Sequence, residues 1–272
     1  MTQMPQTDRP SGHARTLAVV NQKGGVGKTT TAINLGTALA AVGRSVLIVD
    51  LDPQGNASTG LGIDLNQRDR NTYHVLVGTV KGEEAIVATK IPRLDIMPSS
   101  VELSGSELEL IELPTPQMRL KKALLALPAK YDYVLIDCPP SLNLVTVNAM
   151  AAADAVLVPL QCEFFALEGL SQLLKTIERV RVSLNPDLEI QGIVLTMFDR
   201  RNRLSEQVAD DVRSHMGSKV YETVIPRNVR VSEAPSHGSP ALLYDYRCAG
   251  SQAYIRLAGE LLRRERRRAM AA

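Results

Sequence analysis

The sequence predicts one doubly wound α/β domain around a mostly parallel sheet. Three observations carry this expectation. Short runs of Val, Ile and Leu alternate with segments of helical periodicity, the pattern of successive β–α–β units. Aromatic residues are only 4% of the chain and tryptophan is absent, so the core must be aliphatic, as in sheets buried on both faces. No internal stretch reads as a linker, so a single domain over 15–268 is expected after a polar tail at 1–14.

The elements follow in order. Residues 16–21 form a short apolar run, hence a buried strand, and a glycine-rich loop comes directly after it. An Ala-rich helix is expected from Thr29 to Val42, with Ile33, Leu35 and Leu39 in its core and Gly43 as its stop. A second strand covers 45–50. Residues 60–115 show little periodicity apart from a strand at 94–98. A helix at 117–127 is stopped by Pro128, and strands follow at 133–137 and 154–159. Leu167, Leu170, Leu173, Leu174, Ile177 and Val180 recur at helical spacing. A strand at 190–197, a helix marked by Leu204, Val208 and Val212, a strand at 219–225 and a helix at 251–266 complete the list.

Composition narrows the function classes. The chain has 272 residues, 44% hydrophobic and 22% charged, with a formal net charge of +2. That balance does not announce a nucleic-acid binder, so any such role must come from local clusters. Cys138, Cys162 and Cys248 are odd in number and far apart, which fits reduced thiols better than disulfides or a metal site. No apolar run is long enough to span a membrane, and the N-terminus lacks a secretory pattern, so a cytoplasmic location is expected.

The loop carries the chemistry. Lys23, Gly24, Gly25, Val26, Gly27, Lys28, Thr29 and Thr30 sit between a strand and a helix. Glycines let backbone N–H groups turn towards an anion, and the helix N-terminus adds partial positive charge. In this pattern Lys28 neutralises β- and γ-phosphates and the Thr29 hydroxyl ligates Mg²⁺. The fold is therefore of the P-loop NTPase type, with ATP and Mg²⁺ as the implied cofactors. The alternative, a tight glycine turn beside a solvated lysine, does not explain the strand–loop–helix context. Two carboxylate segments accompany the loop. Asp50 and Asp52 close the second strand, and both would face one side if that strand persisted. Asp137 ends the apolar strand at 133–137, where a carboxylate can hold Mg²⁺ through water.

The usual loop pattern begins with glycine, but position 22 is Gln22 and an extra lysine, Lys23, precedes Gly24. This K-G-G-x-G-K-T form resembles the deviant Walker A ATPases. The segments Asp50–Asn56, Asp137–Ser141, Thr196–Asp199, Ile225–Arg230 and Glu233–Gly238 fall in the order seen in ParA/Soj chromosome-partitioning ATPases. The resemblance covers roughly residues 16–262. It implies an ATP-dependent homodimer with nucleotide sandwiched between subunits. Lys23 would reach the partner's phosphates, and Asp52 would orient the attacking water, so that Lys23, Lys28 and Asp52 form the catalytic set. Pro226 and Asn228 would lie near adenine. A ParB-type partner would stimulate hydrolysis, and the protein would be associated with the nucleoid.

The resemblance also implies binding to double-stranded DNA without sequence preference. Arg201 and Arg230 match the family's DNA-binding arginines, with Arg200, Arg203 and Arg227 beside them. Arginine suits phosphate because its planar fork donates in pairs. The alternative is a solvated basic face. Two other functions remain open: a MinD-like or cargo-positioning ATPase acting on membrane or another partner, and a metabolic P-loop enzyme. The C-terminal stretch Leu261–Arg268 is charged nearly all round, which leaves too little apolar surface for membrane insertion.

Overall fold

The computed structural model describes residues 13–271, so most of the tail expected at 1–14 lies outside the described residues. In chain order the elements are β1 (Arg15–Val19), α1 (Lys28–Ala41), β2 (Val46–Asp50), α2 (Asn56–Gly60), α3 (Thr72–Val77), β3 (Val87–Ala88), β4 (Leu94–Met97), α4 (Ser106–Glu112) and α5 (Arg119–Leu125). They continue with β5 (Tyr133–Asp137), α6 (Leu144–Ala152), β6 (Ala155–Gln161), α7 (Ala166–Ser183), β7 (Glu189–Thr196), α8 (Arg203–Met216), α9 (Val229–Glu233), α10 (Ala241–Tyr244) and α11 (Ala249–Ala271). The strands form a seven-stranded sheet in the order β3-β4-β2-β5-β1-β6-β7. All pairings are parallel except β3 with β4.

Alternation along the strands divides the core between the two faces. Val46 and Ile48 pack with Ile33, Leu35 and Leu39 of α1 and with Tyr254, Leu257 and Leu261 of α11. Leu47 and Val49 face the other way, into a core with Leu120 of α5, Ala149 of α6, Leu173 of α7 and Val212 of α8. This is the doubly wound arrangement the alternating apolar runs predict. Several helices start on asparagine caps, with Asn71, Asn143, Asn202 and Asn228 accepting from backbone N–H groups of α3, α6, α8 and α9. Gly43, at φ 89°, turns the chain out of α1.

Topology places the site. From β1 the chain crosses to β2 on one side, and from β5 it crosses back over β1 to β6 on the other. The crevice at such a reversal is where open α/β sheets bind ligands. In register, Asp137 of β5 lies opposite both Val19 of β1 and Asp50 of β2, so three strand ends finish level at that crevice.

Two expectations need correction. Residues 219–225 do not form a strand. Tyr221 and Ile225 donate to Ile193 and Leu195 of β7 at 2.9 and 2.8 Å, as a parallel strand would. Between them, the Thr223 N–H goes to the Glu260 carboxylate of α11 at 2.9 Å, and the Glu222 N–H joins it. That capture breaks the ladder, leaving isolated bridges at Val220 and Pro226. Secondly, β2 stops at Asp50, so Asp52 lies in the following turn and the two carboxylates do not share a strand face. Residues 60–115, where the sequence shows little periodicity beyond the strand at 94–98, hold α3, α4 and several single turns besides β3 and β4. Each is too short for periodicity to reveal it.

Candidate functional site

The phosphate loop is held from three strand ends. Asn21, just past β1, donates through Nδ2 to the Pro159 carbonyl of β6 at 2.8 Å, and its Oδ1 accepts from the Lys23 N–H at 3.0 Å. Thr196 at the end of β7 donates its hydroxyl to the Val26 carbonyl at 2.8 Å. Gly25 and Gly27 have φ of 75° and 87°, a left-handed geometry that side chains resist. Gly27 is the N-cap of α1, so the helix begins directly at the loop.

Lys28 is 6% exposed, and its ammonium donates to the Lys23 carbonyl at 2.9 Å across the loop. Burial pushes its pKa down, while Asp137, Cys138 and Asp52 act in the opposite direction. An ammonium has three donors, so an anion above the loop can take the others.

The carboxylates divide by environment. Asp50 is fully buried and accepts from the Ser58 N–H at 2.9 Å, the Ser58 hydroxyl at 2.7 Å and the Asp52 N–H at 3.2 Å. Burial raises its pKa to about 6 despite those bonds. Asp52 accepts from the Gln54 N–H at 3.0 Å and is 8% exposed. Asp137 is fully buried, and neither carboxylate oxygen has a hydrogen-bond partner of ordinary geometry. Burial and the charge of Asp50 raise its pKa well above the aspartate range, and the neighbouring Thr29 hydroxyl only partly offsets this.

A buried carboxylate with two orphaned oxygens is expensive in isolation. It fits a hard divalent cation, and the Thr29 hydroxyl is an oxygen ligand of the right kind. Among the described residues no group of three or more His, Cys, Asp or Glu could hold a metal alone. A cation here would have Asp137 and the Thr29 hydroxyl beside it and room to keep water in its shell, as Mg²⁺ prefers.

The remaining expected residues lie on the β7 side. Pro226 bridges Phe198, and Asn228 caps α9 by accepting from the Val231 N–H at 3.3 Å. Both line a pocket of about 730 Å³ with Phe198, Asp199, Arg200, Arg201 and Arg227. Met197, just before Phe198, has φ 47°, and its methyl lies close to Gly27, which joins this wall to the phosphate loop. Arg201 is held bidentately by Asp199 at 3.0 Å on each nitrogen. Arg230 pairs with Glu233 at 3.1 Å and Asp245 at 3.7 Å. Arg200, Arg203 and Arg227 form no ion pair with the described residues.

The loop residues and the three carboxylates thus come together at one crevice, while the arginines spread along the adjoining rim. Some participants escaped the sequence reading. Asn21 sits at the strand-to-loop junction, where a polar residue is a recognisable hint. Thr196 and Glu163, whose carboxylate is ion-paired to Lys23, act across large sequence separations and carry no local signal, and Ser58 reaches Asp50 from the next helix, where a serine is not distinctive.

Comparison with known proteins follows this geometry. Residues 14–190 match a family model described as AAA domain. The Chromosome partitioning protein ParA of Caulobacter vibrioides is 67% identical over 256 residues, covering 93% of this chain and 96% of that protein. The Sporulation initiation inhibitor protein Soj of Bacillus subtilis is 52% identical over 245 residues, covering 90% and 97%. Among solved structures, cobyrinic acid a,c-diamide synthase of Mycobacterium smegmatis with bound ATP analogue and magnesium superposes with TM-score 0.82 at 39% identity, covering 93% and 96%. With this loop, this sheet and identity of that order over nearly its whole length, the chain belongs to the ParA/Soj family of chromosome-partitioning ATPases.

Proposed function

We propose that residues 15–268 act as one Mg-ATP-dependent switch that dimerises on ATP, then binds DNA without sequence preference and releases it on hydrolysis. Stimulation comes from a ParB-type centromere-binding partner, and the protein works on the nucleoid. The observation that carries the nucleotide chemistry is Asp137, a buried carboxylate with two orphaned oxygens beside the phosphate loop. When bound, Mg²⁺ would be held by the Thr29 hydroxyl with Asp137 beside it, and would supply positive charge to the phosphates.

Each residue then has a task. Backbone N–H groups of Gly24 to Thr30 orient the phosphates and Lys28 neutralises them. Thr29 supplies a hydroxyl to the cation, and Asp137 faces it, directly or through water. Asp52, outside the strand and free of Asp50's hydrogen bonds, orients the attacking water. Lys23 supplies a charge to the partner's nucleotide, in the manner of an arginine finger. The pocket at Pro226 and Asn228 receives the base.

The basic rim suits the DNA backbone. Arg200, Arg203 and Arg227 offer uncommitted donors, and Arg201 and Arg230 can exchange their carboxylates for phosphates. Each of those is an exposed ion pair, which costs little to break. Doubling the rim in a dimer explains why a chain of net charge +2 would need ATP before DNA holds it.

A membrane role is disfavoured by α11, whose apolar residues Ala253, Tyr254, Leu257, Ala258 and Leu261 are already buried against α1 and the sheet. No described helix is long and apolar enough to cross a membrane. A metabolic role is disfavoured by the 67% identity to a chromosome partitioning protein against 39% to a synthase. The test is retention of nonspecific duplex DNA at fixed moderate salt with ATP, ADP or no nucleotide. Binding confined to ATP is the expected result. ATP-dependent dimers that ignore DNA in every state would sink the DNA assignment and leave the ATPase standing.

A further inference from the structure

Lys23 is held in its own subunit. Its ammonium is ion-paired to Glu163, in the turn between β6 and α7. The backbone at both ends of the pair is fixed. Lys23 N–H donates to Asn21 and its carbonyl accepts from Lys28. The Glu163 carbonyl accepts from the Ala166 N–H at 2.9 Å, which sets the turn. The freedom left to Lys23 is in its side chain, and the end of that side chain rests on Glu163. The pair is accessible, with side-chain exposures of 52% and 28%. The same turn displays Phe164 and Phe165, 75% and 63% exposed and packed edge to face at 5.0 Å.

We propose that Glu163 is a positioning residue for Lys23, retaining the ammonium in its own subunit until a second copy of this chain closes over the turn. The proposal rests on the reading above that Lys23 acts across a dimer. To reach another subunit's phosphate the ammonium must leave Glu163. A copy that covers Phe164 and Phe165 closes on the pair itself, desolvates the carboxylate and offers Lys23 a more highly charged anion. Nucleotide without a partner leaves the latch shut, so the charge is withheld from solvent-facing chemistry until the dimer forms.

The effect has a definite size. Exposed ion pairs shift equilibria by about two- to fivefold. Two are broken in each symmetric dimer, so the latch raises the dimer dissociation constant by about 4- to 25-fold. The experiment uses the full chain with Mg²⁺ and a non-hydrolysable ATP analogue, with dimerisation followed by sedimentation velocity. Glu163→Gln is expected to lower the midpoint concentration by that factor, and Glu163→Ala, which keeps the backbone turn, to do the same. The difference from wild type should shrink as salt rises, because screening weakens the wild-type pair; a change in packing would not respond in this way. In a Lys23→Ala background, Glu163→Gln should change nothing. An unchanged or weakened dimer in both Glu163 variants would overturn the latch, as would an effect that survives Lys23→Ala. If Lys23→Ala alone dimerises as well as wild type, the trans-acting lysine itself is wrong. If it fails to dimerise while both Glu163 variants match wild type, only the latch falls.

Discussion

Asp137→Asn should make the nucleotide-free protein more stable while removing its response to Mg-ATP. In the structure Asp137 is fully buried, neither oxygen has a hydrogen bond of ordinary geometry, and Asp50 lies opposite it in register. An unsatisfied buried polar group costs about 1–3 kcal/mol, and more when charged. Asparagine keeps the shape and removes the charge. The amide stays unpaired as well, so the gain is that of the removed charge alone: about 1.4 kcal/mol, or roughly 3–6 °C in midpoint, for each pH unit above about 4 until the raised folded pKa is reached. The gain should grow with pH. A carboxyl whose folded pKa is raised binds more protons in the folded state, so its stabilising contribution is complete below the unfolded pKa and is lost as pH rises through the folded value. For Asp50 the window runs from about 4 to about 6, and the loss is about 3 kcal/mol. Asp137, also raised, extends the loss to higher pH in the wild type alone. The assay is thermal melting in EDTA and in Mg-ATP across that pH range. Wild type should be the less stable protein in EDTA and gain strongly from Mg-ATP, whereas the variant should gain little. A variant less stable than wild type in EDTA at every pH would show that Asp137 has a structural partner, and the cation assignment would lose its support.

Three further outcomes are expected. Asp52→Ala should retain ATP-dependent dimers and slow turnover by about 100-fold or more, as loss of a residue that orients water does; normal turnover in a phosphate-release assay would remove Asp52 from the mechanism. Arg230→Glu should keep the dimer and lose DNA in filter binding at matched salt. It also faces Glu233 and Asp245 with a like charge, a solvent-screened surface repulsion that should leave the fold intact in a melt. Gly192→Ala should destabilise by about 2–3 kcal/mol, because a Cβ there would lie 2.5 Å from the Tyr221 ring and 2.8 Å from the Lys219 carbonyl; a midpoint within 1 °C of wild type would mean that the 217–226 segment yields freely.

What was legible in the sequence was local. Glycine geometry, a lysine and a threonine in eight consecutive residues specify a phosphate loop without knowledge of anything distant. Asp137 was legible because it ends an apolar run that must be a buried strand. The strand at 219–225 misled because its apolar residues, Val220, Tyr221 and Ile225, do pack as a strand would, while Glu260, far along the chain, takes the backbone donor that a ladder requires. Asp50 and Asp52 look alike in sequence. Ser58 separates them, because its N–H and hydroxyl both go to Asp50 and leave Asp52 with one donor from Gln54. The arginines were found, but their ion pairs with Asp199, Glu233 and Asp245 were not, since surface charge partners are set by side-chain rotamers rather than by spacing.

The interrupted segment beside β7 has a consequence for how copies of this chain can assemble. A sheet whose outer strand offers a free ladder invites another sheet to extend it, and from there to fibres. At one margin the 217–226 segment lies along β7, making two donations to its carbonyls and turning the Glu222 and Thr223 N–H groups to Glu260 of α11. At the other, β3 is two residues long and runs against its neighbour. Neither margin offers a ladder of useful length. Growth by strand addition is thereby discouraged at both ends of the sheet.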